Sequence, residues 1–297
     1  MIFGIMRILP GDPLATFMAG DYMRRMGPDE IALVKKDLGL DRPLPMQYGT
    51  WIRDVMTGSF GKTFHRKDPI IDLILSRGAI SMEIGILAVI ISWIMGLPVG
   101  ILSAIRPNSL LDMTSSSTAV LFLAIPNFWL GLLIVLLTLT LWGYHPPLVS
   151  VHIWEDPWAN FQIVIGPAMV LATSMAAVIA RMTRSSLFEV LREDYVRTAR
   201  AKGMTDMTTI IRHALPNALL PVLTISGVML GFVLSGSLAV EVAFGTPGIG
   251  KTLVLAAKSR DMNIVQSFVL LYGIIFVVVN LMVDLLYGAI DPRIRLS

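Results

Sequence analysis

The chain has 297 residues, of which 55% are hydrophobic and only 15% charged, and its mean hydropathy is +0.71. A soluble globular chain carries about 25% charged residues, so this composition excludes a soluble two-domain protein and indicates a polytopic membrane protein. The net charge of +3 comes from 24 Lys and Arg against 21 Asp and Glu spread among loops, which argues against a nucleic-acid surface. Zero cysteines exclude disulfides and thiolate metal sites, and His65, His145, His152 and His213 are too scattered for a metal-ligand spacing.

The chain opens with an apolar stretch, residues 1–9, closed by Pro10-Gly11-Asp12-Pro13. Nine residues of helix reach about 14 Å, less than half of a bilayer core, so the stretch is either the tail of a span or a surface segment. No basic region precedes it and no small-residue cleavage site follows, as a signal peptide requires. Two short amphipathic helices follow. Pro28 with Asp29 and Glu30 opens the first, Lys35 and Lys36 favour its C-terminal dipole and Gly39 can cap it. The second runs from Pro45 to Met56 and is ended by Gly58.

Five uncharged or nearly uncharged runs are long enough to cross a bilayer: 84–105, 118–142, 161–180, 218–240 and 264–287. Their internal Gly and Pro are ordinary in membrane helices. Lys and Arg concentrate in the 182–217 loop and at Arg293 and Arg295 in the tail, whereas 143–160 holds none. Short loops obey the positive-inside rule, which places the 182–217 loop and the C-terminus in the cytoplasm. The basic 20–78 segment then lies outside, being long enough to cross regardless of charge. Trp142, Tyr144, Trp154 and Trp158 bracket the outer loop as an interfacial aromatic belt does.

Several motifs have a plain structural reading beside a functional one. Residues 245–252, Gly-Thr-Pro-Gly-Ile-Gly-Lys-Thr, satisfy the phosphate-loop pattern, but they follow a membrane span rather than a buried strand. They are read as a Gly/Pro-rich outer turn. Asn280, Asp284 and Tyr287 share one face of the last span, where a structural polar contact outweighs a proton relay. Glu83 is read the same way, and the short 106–112 connection offers no chemistry. Gly96/Gly100 and Gly227/Gly231 permit close helix approach, against partner chains in this reading. Pro126-Asn127 interrupts its span near the middle, as a kink or as a polar element of a translocation path or gate.

The 182–217 loop is the informative segment. Its composition predicts a helix over 185–202, a break at Gly203, and a second helix from Asp206 to Ala214, capped by Thr205 and stopped around Pro216. Leu187, Val190, Leu191, Tyr195 and Ala199 form a helical stripe that a partner protein or the cytoplasmic ends of the spans must cover.

Here the chain resembles a known family. Glu193-Asp194-Tyr195-Val196-Arg197-Thr198-Ala199-Arg200-Ala201-Lys202-Gly203 and Arg212-His213-Ala214-Leu215-Pro216-Asn217-Ala218 are similar to the EAA loop of binding-protein-dependent ABC importer permeases. Ala199, Gly203, Leu215 and Pro216 match the general pattern, while Arg197, Thr198 and His213 depart from it as the dipeptide/oligopeptide/nickel branch does. Leu9-Pro10-Gly11-Asp12-Pro13, Pro126-Asn127-Phe128-Trp129-Leu130, Pro247-Gly248-Ile249-Gly250 and Asp291-Pro292-Arg293-Ile294-Arg295 extend the likeness along the chain.

The resemblance implies an all-α type I ABC importer permease of the bacterial or archaeal cytoplasmic membrane, with five complete spans and a truncated first one. Residues 1–77 would form that first span and an extracytoplasmic helical segment, 78–288 the permease domain and 289–297 a cytoplasmic tail. It implies a second homologous permease, two ATP-binding subunits and an extracytoplasmic solute-binding protein as partners. Coupling to the ATPases falls on Glu193, Tyr195, Arg197, Ala199, Gly203, His213, Leu215 and Pro216. The chain itself is expected to be non-catalytic and to bind no cofactor or metal, ATP being used by the partners. Peptides are the first choice of solute, ahead of nickel complexes, glutathione or other small solutes. A secondary transporter would need paired intramembrane acids or broken helices at mid-bilayer and some inverted repeat, whereas the residues offer one peripheral acid and no clear repeat, and a membrane enzyme would need a catalytic cluster that they do not supply. Family members begin with a full helix before the Leu-Pro-Gly-Asp-Pro motif, so the native chain is expected to carry roughly 15–25 further residues at its start.

Overall fold

The computed structural model describes residues 3, 4, 27, 41–63, 67–259 and 261–290, without the side chains of 234–236, 284 and 286–290. The expected first helix over 28–39, the Leu-Pro-Gly-Asp-Pro motif, His65, the 291–295 motif and the side chains of Asp284 and Tyr287 lie outside the described residues. Apart from one isolated bridge between Lys62 and Pro69, all regular secondary structure among the described residues is helical.

Helix α1 (Leu44–Met56) starts behind Pro43 and ends at Thr57, where Gly58 takes φ +82, a left-handed value that favours glycine. Phe3 stacks on its Trp51 and meets Tyr48 edge-on. Helix α2 (Ile70–Ile105) runs for 36 residues, about 54 Å at 1.5 Å per residue. It therefore begins well before the expected 84–105 span. Glu83 ended the uncharged run in the sequence but not the helix, because its carboxylate accepts a 2.8 Å hydrogen bond from the Asn160 amide.

The expected 118–142 span is two helices, α3 (Leu110–Ala124) and α4 (Asn127–Trp142), bent by 94°. A proline disfavours helical backbone in the residue before it; Ile125 is extended at ψ 123, and so is Pro126 at ψ 130. The interruption is a full break rather than a kink. Gly143, at φ +62, ends α4. Helix α5 (Pro157–Val190) opens with the Asp156 carboxylate accepting from the amides of Trp158 and Ala159, both at 3.0 Å, and with Pro157 in its first turn.

After α5 come two short helices, α6 (Asp194–Ala201) and α7 (Asp206–Thr209), and a π turn over Ile210–Ala214 that leads into α8 (Leu215–Gly236). Helices α9 (Leu238–Phe244) and α10 (Ile249–Lys258) form an elbow bent by 88°, and α11 (Met262–Ile290) closes the described chain. Among the described residues, four helices are long and apolar enough to cross a membrane, or up to six if each bent pair is one span.

The most extensive interface is α2 on α5. A Cβ at Gly96 would lie 2.7 Å from the Ala176 carbonyl oxygen, and one at Gly100 would lie 2.6 Å from that of Ala180. A Cβ at Gly231 would lie 3.0 Å from a ring carbon of Phe276 of α11, and one at Gly227 would run into the Val283 side chain of the same helix. Both small-residue pairs thus serve packing inside this chain, not against a partner as the sequence suggested. One buried core joins Ile80, Ile84 and Ala88 of α2 to Ile163, Val164 and Met175 of α5. Around it, large apolar side chains such as Ile94, Leu141 and Phe232 are more than 60% exposed, which fits a lipid environment.

Candidate functional site

The segment singled out by the sequence folds as a compact hairpin at one end of the bundle. The expected helix over 185–202 is interrupted: α5 ends at Val190 and α6 starts at Asp194, with Glu193 extended at ψ 147 as its N-cap and making no side-chain cap bond. In one continuous helix Leu187 and Val196 would sit nine residues apart, half a turn out of phase. The break brings both, fully buried, into one cluster with Ala104 of α2 and Ala214 and Ala218 at the start of α8. The stripe therefore finds its cover within the chain, at the ends of α2 and α8. Ala199 is buried as expected. Tyr195 is not part of the buried stripe: it is 42% exposed, and its hydroxyl accepts a 2.8 Å bond from the Asn217 amide.

Gly203 terminates α6 at φ +80. Its amide donates to the Arg200 carbonyl and that of Met204 to the Ala199 carbonyl, the paired bonds of a Schellman cap. Thr205 caps α7 as expected, but the helix does not stop near Pro216. Proline lacks an amide hydrogen and crowds the carbonyl four residues back; the π turn widens the helix over Ile210–Ala214, and Pro216 sits in the first turn of α8. His213 and Leu215 are half-buried on this turn. The outward surface carries Met207 and Ile211, 66% and 55% exposed, and exposed Arg197, which pairs with Asp194 at 3.4 Å. Arg200 pairs with Asp206 at 3.1 Å.

The 106–112 connection, read as chemically empty, holds a partly buried ion pair, with the Arg184 side chain 38% exposed. Arg184 of α5 donates to both carboxylate oxygens of Asp112, at 2.5 and 2.8 Å, and the Asp112 side chain is only 5% exposed. Asp112 also accepts from the Asn108 amide at 3.0 Å, while its own amide donates to Ser109. Nothing in the spacing of Asp112 and Arg184 announced this pairing across 72 positions.

At the opposite end lies the phosphate-loop look-alike, organised by a residue the sequence reading passed over. Glu241 is fully buried. One carboxylate oxygen accepts from the hydroxyls of Ser81, at 2.8 Å, and Ser237, at 3.0 Å; the other accepts from the Lys251 amide at 3.0 Å, and the Gly250 amide also donates to the group. The Ile249 amide donates to Ser81. The amides that would cradle a phosphate at the start of α10 are thus engaged by this chain's own side chains. The Lys251 ammonium donates to the Gly245 carbonyl at 2.6 Å, and Arg77 donates to that of Pro247. A Cβ at Gly250 would lie 2.5 Å from Leu238 Cα, so the elbow closes only with glycine there.

Of the candidate path residues, Pro126 makes the break between α3 and α4, and the Asn127 amide donates to Ser174 of α5 at 3.2 Å. A cavity of about 290 Å³ between α2, α3 and α5 is lined by Gly96, Val99, Thr118, Phe122, Ala176 and Ala180 among others. Neither Pro126 nor Asn127 reaches it. The described residues contain no group of three or more His, Cys, Asp or Glu arranged to hold a metal ion.

Comparison with known proteins covers the same ground. The N-terminal profile of binding-protein-dependent transport system membrane components matches residues 1–84, and the profile of binding-protein-dependent transport system inner membrane components matches residues 96–296. The chain is 38% identical to the dipeptide transport system permease protein DppB of Escherichia coli (strain K12), covering 99% of this chain and 93% of the relative. It is 36% identical to a putative peptide transport system permease of Brucella suis biovar 1 (strain 1330), over 99% and 93%. With the glutathione transport system permease protein GsiC of Pectobacterium atrosepticum the identity is 37%, over 99% and 92%. Among solved structures, the inward-facing MetNI methionine ABC transporter superposes with a TM-score of 0.60 at 21% identity, over 74% of this chain and 96% of that one. An amino acid ABC transporter gives 0.57 at 18% identity, over 73% and 94%. At those identities the structures speak for the fold alone, that of type I ABC importer permeases. With both profiles spanning nearly the whole chain and full-length relatives above 30% identity, the chain belongs to the binding-protein-dependent transport system inner membrane components, as an ABC importer permease of the dipeptide/oligopeptide branch.

Proposed function

We propose that the chain is one membrane-spanning subunit of an ATP-driven peptide importer, assembled with a second homologous permease, two ATP-binding subunits and an extracytoplasmic solute-binding protein. The 191–214 hairpin and the C-terminus face the cytoplasm, and the Glu241 elbow faces outward. The hairpin is the surface that docks an ATP-binding subunit. The observation that carries this reading is the division of its two faces. Val196 is buried with Ala104 of α2 and Ala218 of α8, and Ala199 is buried too, while Tyr195, Met207 and Ile211 stand exposed, as do Arg197, Arg200 and Lys202. Apolar anchors within a basic rim suit a partner groove with acidic edges.

In this role Gly203 sets the return of the hairpin and Ala199 permits its close seating. The π turn with His213, Leu215 and Pro216 joins it without interruption to α8, so that a push on the hairpin is a push on a span. Reversing a 1:99 preference of the pathway to 99:1 requires about 5.5 kcal/mol of differential interaction, a demand met by ATP binding at the partner subunits. Pro126 and Asn127 are proposed to act at the gate as the flexible corner between α3 and α4.

The resemblance to DppB favours dipeptides and that to GsiC favours glutathione. In proteoliposomes containing the whole complex, ATP-dependent uptake of labelled alanyl-alanine, resisted by excess glutathione, is the expected outcome. Uptake of glutathione alone would transfer the assignment to it, and failure of the chain to copurify with an ATPase would remove the coupled-importer reading.

The elbow predicts a further result. Lys251→Ala removes one charge-assisted hydrogen bond to the Gly245 carbonyl, worth about 1.5–3 kcal/mol, and leaves the Glu241 contacts in place. ATP binding by the complex is expected to be unchanged and uptake to stay within a few fold of the parent. Loss of ATP binding with intact assembly would reinstate a phosphate-loop role.

A further inference from the structure

We infer that the Asp112–Arg184 ion pair is a positioning joint, passing movement of the coupling hairpin to the broken helix pair α3–α4. This inference rests on the coupling role proposed above. Arg184 lies one turn before Leu187 on α5, and Leu187 is packed with Val196 of the hairpin in one buried cluster. Across the pair, Asp112 belongs to the first turn of α3 and is fixed there by the Asn108 amide and the Ser109 cap. The route from α6 to α3 is therefore continuous: a buried apolar contact, one turn of α5, and a two-pronged charged bond.

A partly buried ion pair adds little stability, since desolvation of the carboxylate and solvent screening of the exposed guanidinium offset most of its attraction, but a bidentate arginine–carboxylate contact is specific in geometry. That is the property a mechanical joint needs. A second polar contact with α5 lies just past the Pro126 break, where the Asn127 amide at the start of α4 meets Ser174. Helix α3 thus has its own charged fastening to α5, and the next one, on α4, lies beyond the corner. Its outer face exposes Leu110, Met113, Val120 and Leu121, each more than half accessible. With α3 fastened through Asp112 and α4 through Asn127, the 125–126 corner between them is the place where a displacement of α3 becomes a change of angle between α3 and α4. Asp112 and Arg184 contact no solute in this scheme and act through the helices they join.

The test uses the complete complex in lipid nanodiscs, starting from a chain without native cysteines. Spin labels at Leu121→Cys and at Glu189→Cys, on the last turn of α5 outside the 191–214 docking hairpin, report the distance from α3 to the base of the hairpin, and a separate pair at Leu148→Cys and Glu189→Cys reports the overall transition between nucleotide-free and ATP–vanadate states. The expected result is that the second distance changes while the first does not, and that Asp112→Asn makes the first distance change too. In proteoliposomes, alanyl-alanine uptake per ATP hydrolysed is expected to fall about tenfold in Asp112→Asn, the scale on which a lost coupling contact acts. The double variant Asp112→Arg with Arg184→Asp should recover most of that loss. A first distance that changes in the parent overturns the inference. So does an Asp112→Asn complex with parental distances and parental uptake per ATP, or a proportional loss of hydrolysis and uptake, which marks a purely structural pair. If the second distance stays fixed in the parent while ATP is hydrolysed, the coupling reading itself fails, and this inference with it.

Discussion

Glu241→Ala is expected to lower the stability of the subunit by about 2–6 kcal/mol, through two buried backbone amides each left without an acceptor at about 1–3 kcal/mol. Those amides belong to Gly250 and Lys251 at the start of α10, and the carboxylate that receives them also accepts from Ser81 of α2 and from Ser237. The Ser81 and Ser237 hydroxyls can turn to helix carbonyls, so the amides dominate the loss. Glu241→Gln should be far milder. Its amide oxygen can occupy the position facing the Lys251 amide, while its NH2 group donates to a serine that reverses its role from donor to acceptor. The thermal midpoint of the nanodisc-embedded subunit, followed by loss of the monodisperse peak, separates the two. A Glu241→Ala midpoint equal to that of the parent would show that the elbow is held by something other than this carboxylate. The same variant should leave binding of an ATP-binding subunit intact, because Glu241 and the hairpin lie at opposite ends of the bundle.

Gly203→Trp is expected to abolish uptake while leaving the permease folded. A side chain at φ +80 is strained by about 1–2 kcal/mol whatever its size, yet among the described residues nothing beyond the adjoining backbone lies within 4 Å of the Cβ position. An indole there projects from the hairpin into the space that the proposed ATP-binding subunit would fill. Gly203→Asn provides the control, because asparagine tolerates the left-handed conformation and adds little bulk. Retention of the ATP-binding subunit on the purified permease, and alanyl-alanine uptake, should both survive Gly203→Asn and be lost in Gly203→Trp. A cysteine at Ala201 should crosslink to the ATP-binding subunit in the parent. Normal uptake by Gly203→Trp, with no crosslink from any position in the hairpin, would end the docking assignment.

Much of this architecture was legible in the residues because a bilayer enforces simple rules. Long uncharged runs must be helical to satisfy their backbone groups, so the locations of α2, α5, α8 and α11 followed from hydropathy. Local chemistry carried further: Gly58, Gly203 and Thr205 stop or start helices through their own backbone and side-chain preferences, and each does so where the sequence placed it. Helix extent was less legible. Glu83 was a boundary in a search for uncharged runs, but tertiary structure supplied Asn160 as its partner and α2 continued through it.

The sequence by itself determined the membrane class, the helical content, the family resemblance and the segment on which coupling is proposed, because each depends on composition or on residues close together in the chain. Tertiary structure alone decided that Val196 rather than Tyr195 faces inward, that Pro216 continues a helix through a π turn, and that Gly96 and Gly100 pack within the chain. It also decided the two polar centres, Glu241 with Ser81 and Asp112 with Arg184, whose partners lie 160 and 72 positions apart. Burying a carboxylate is tolerable only where donors converge on it, and convergence from distant helices is a property of packing that no local spacing records.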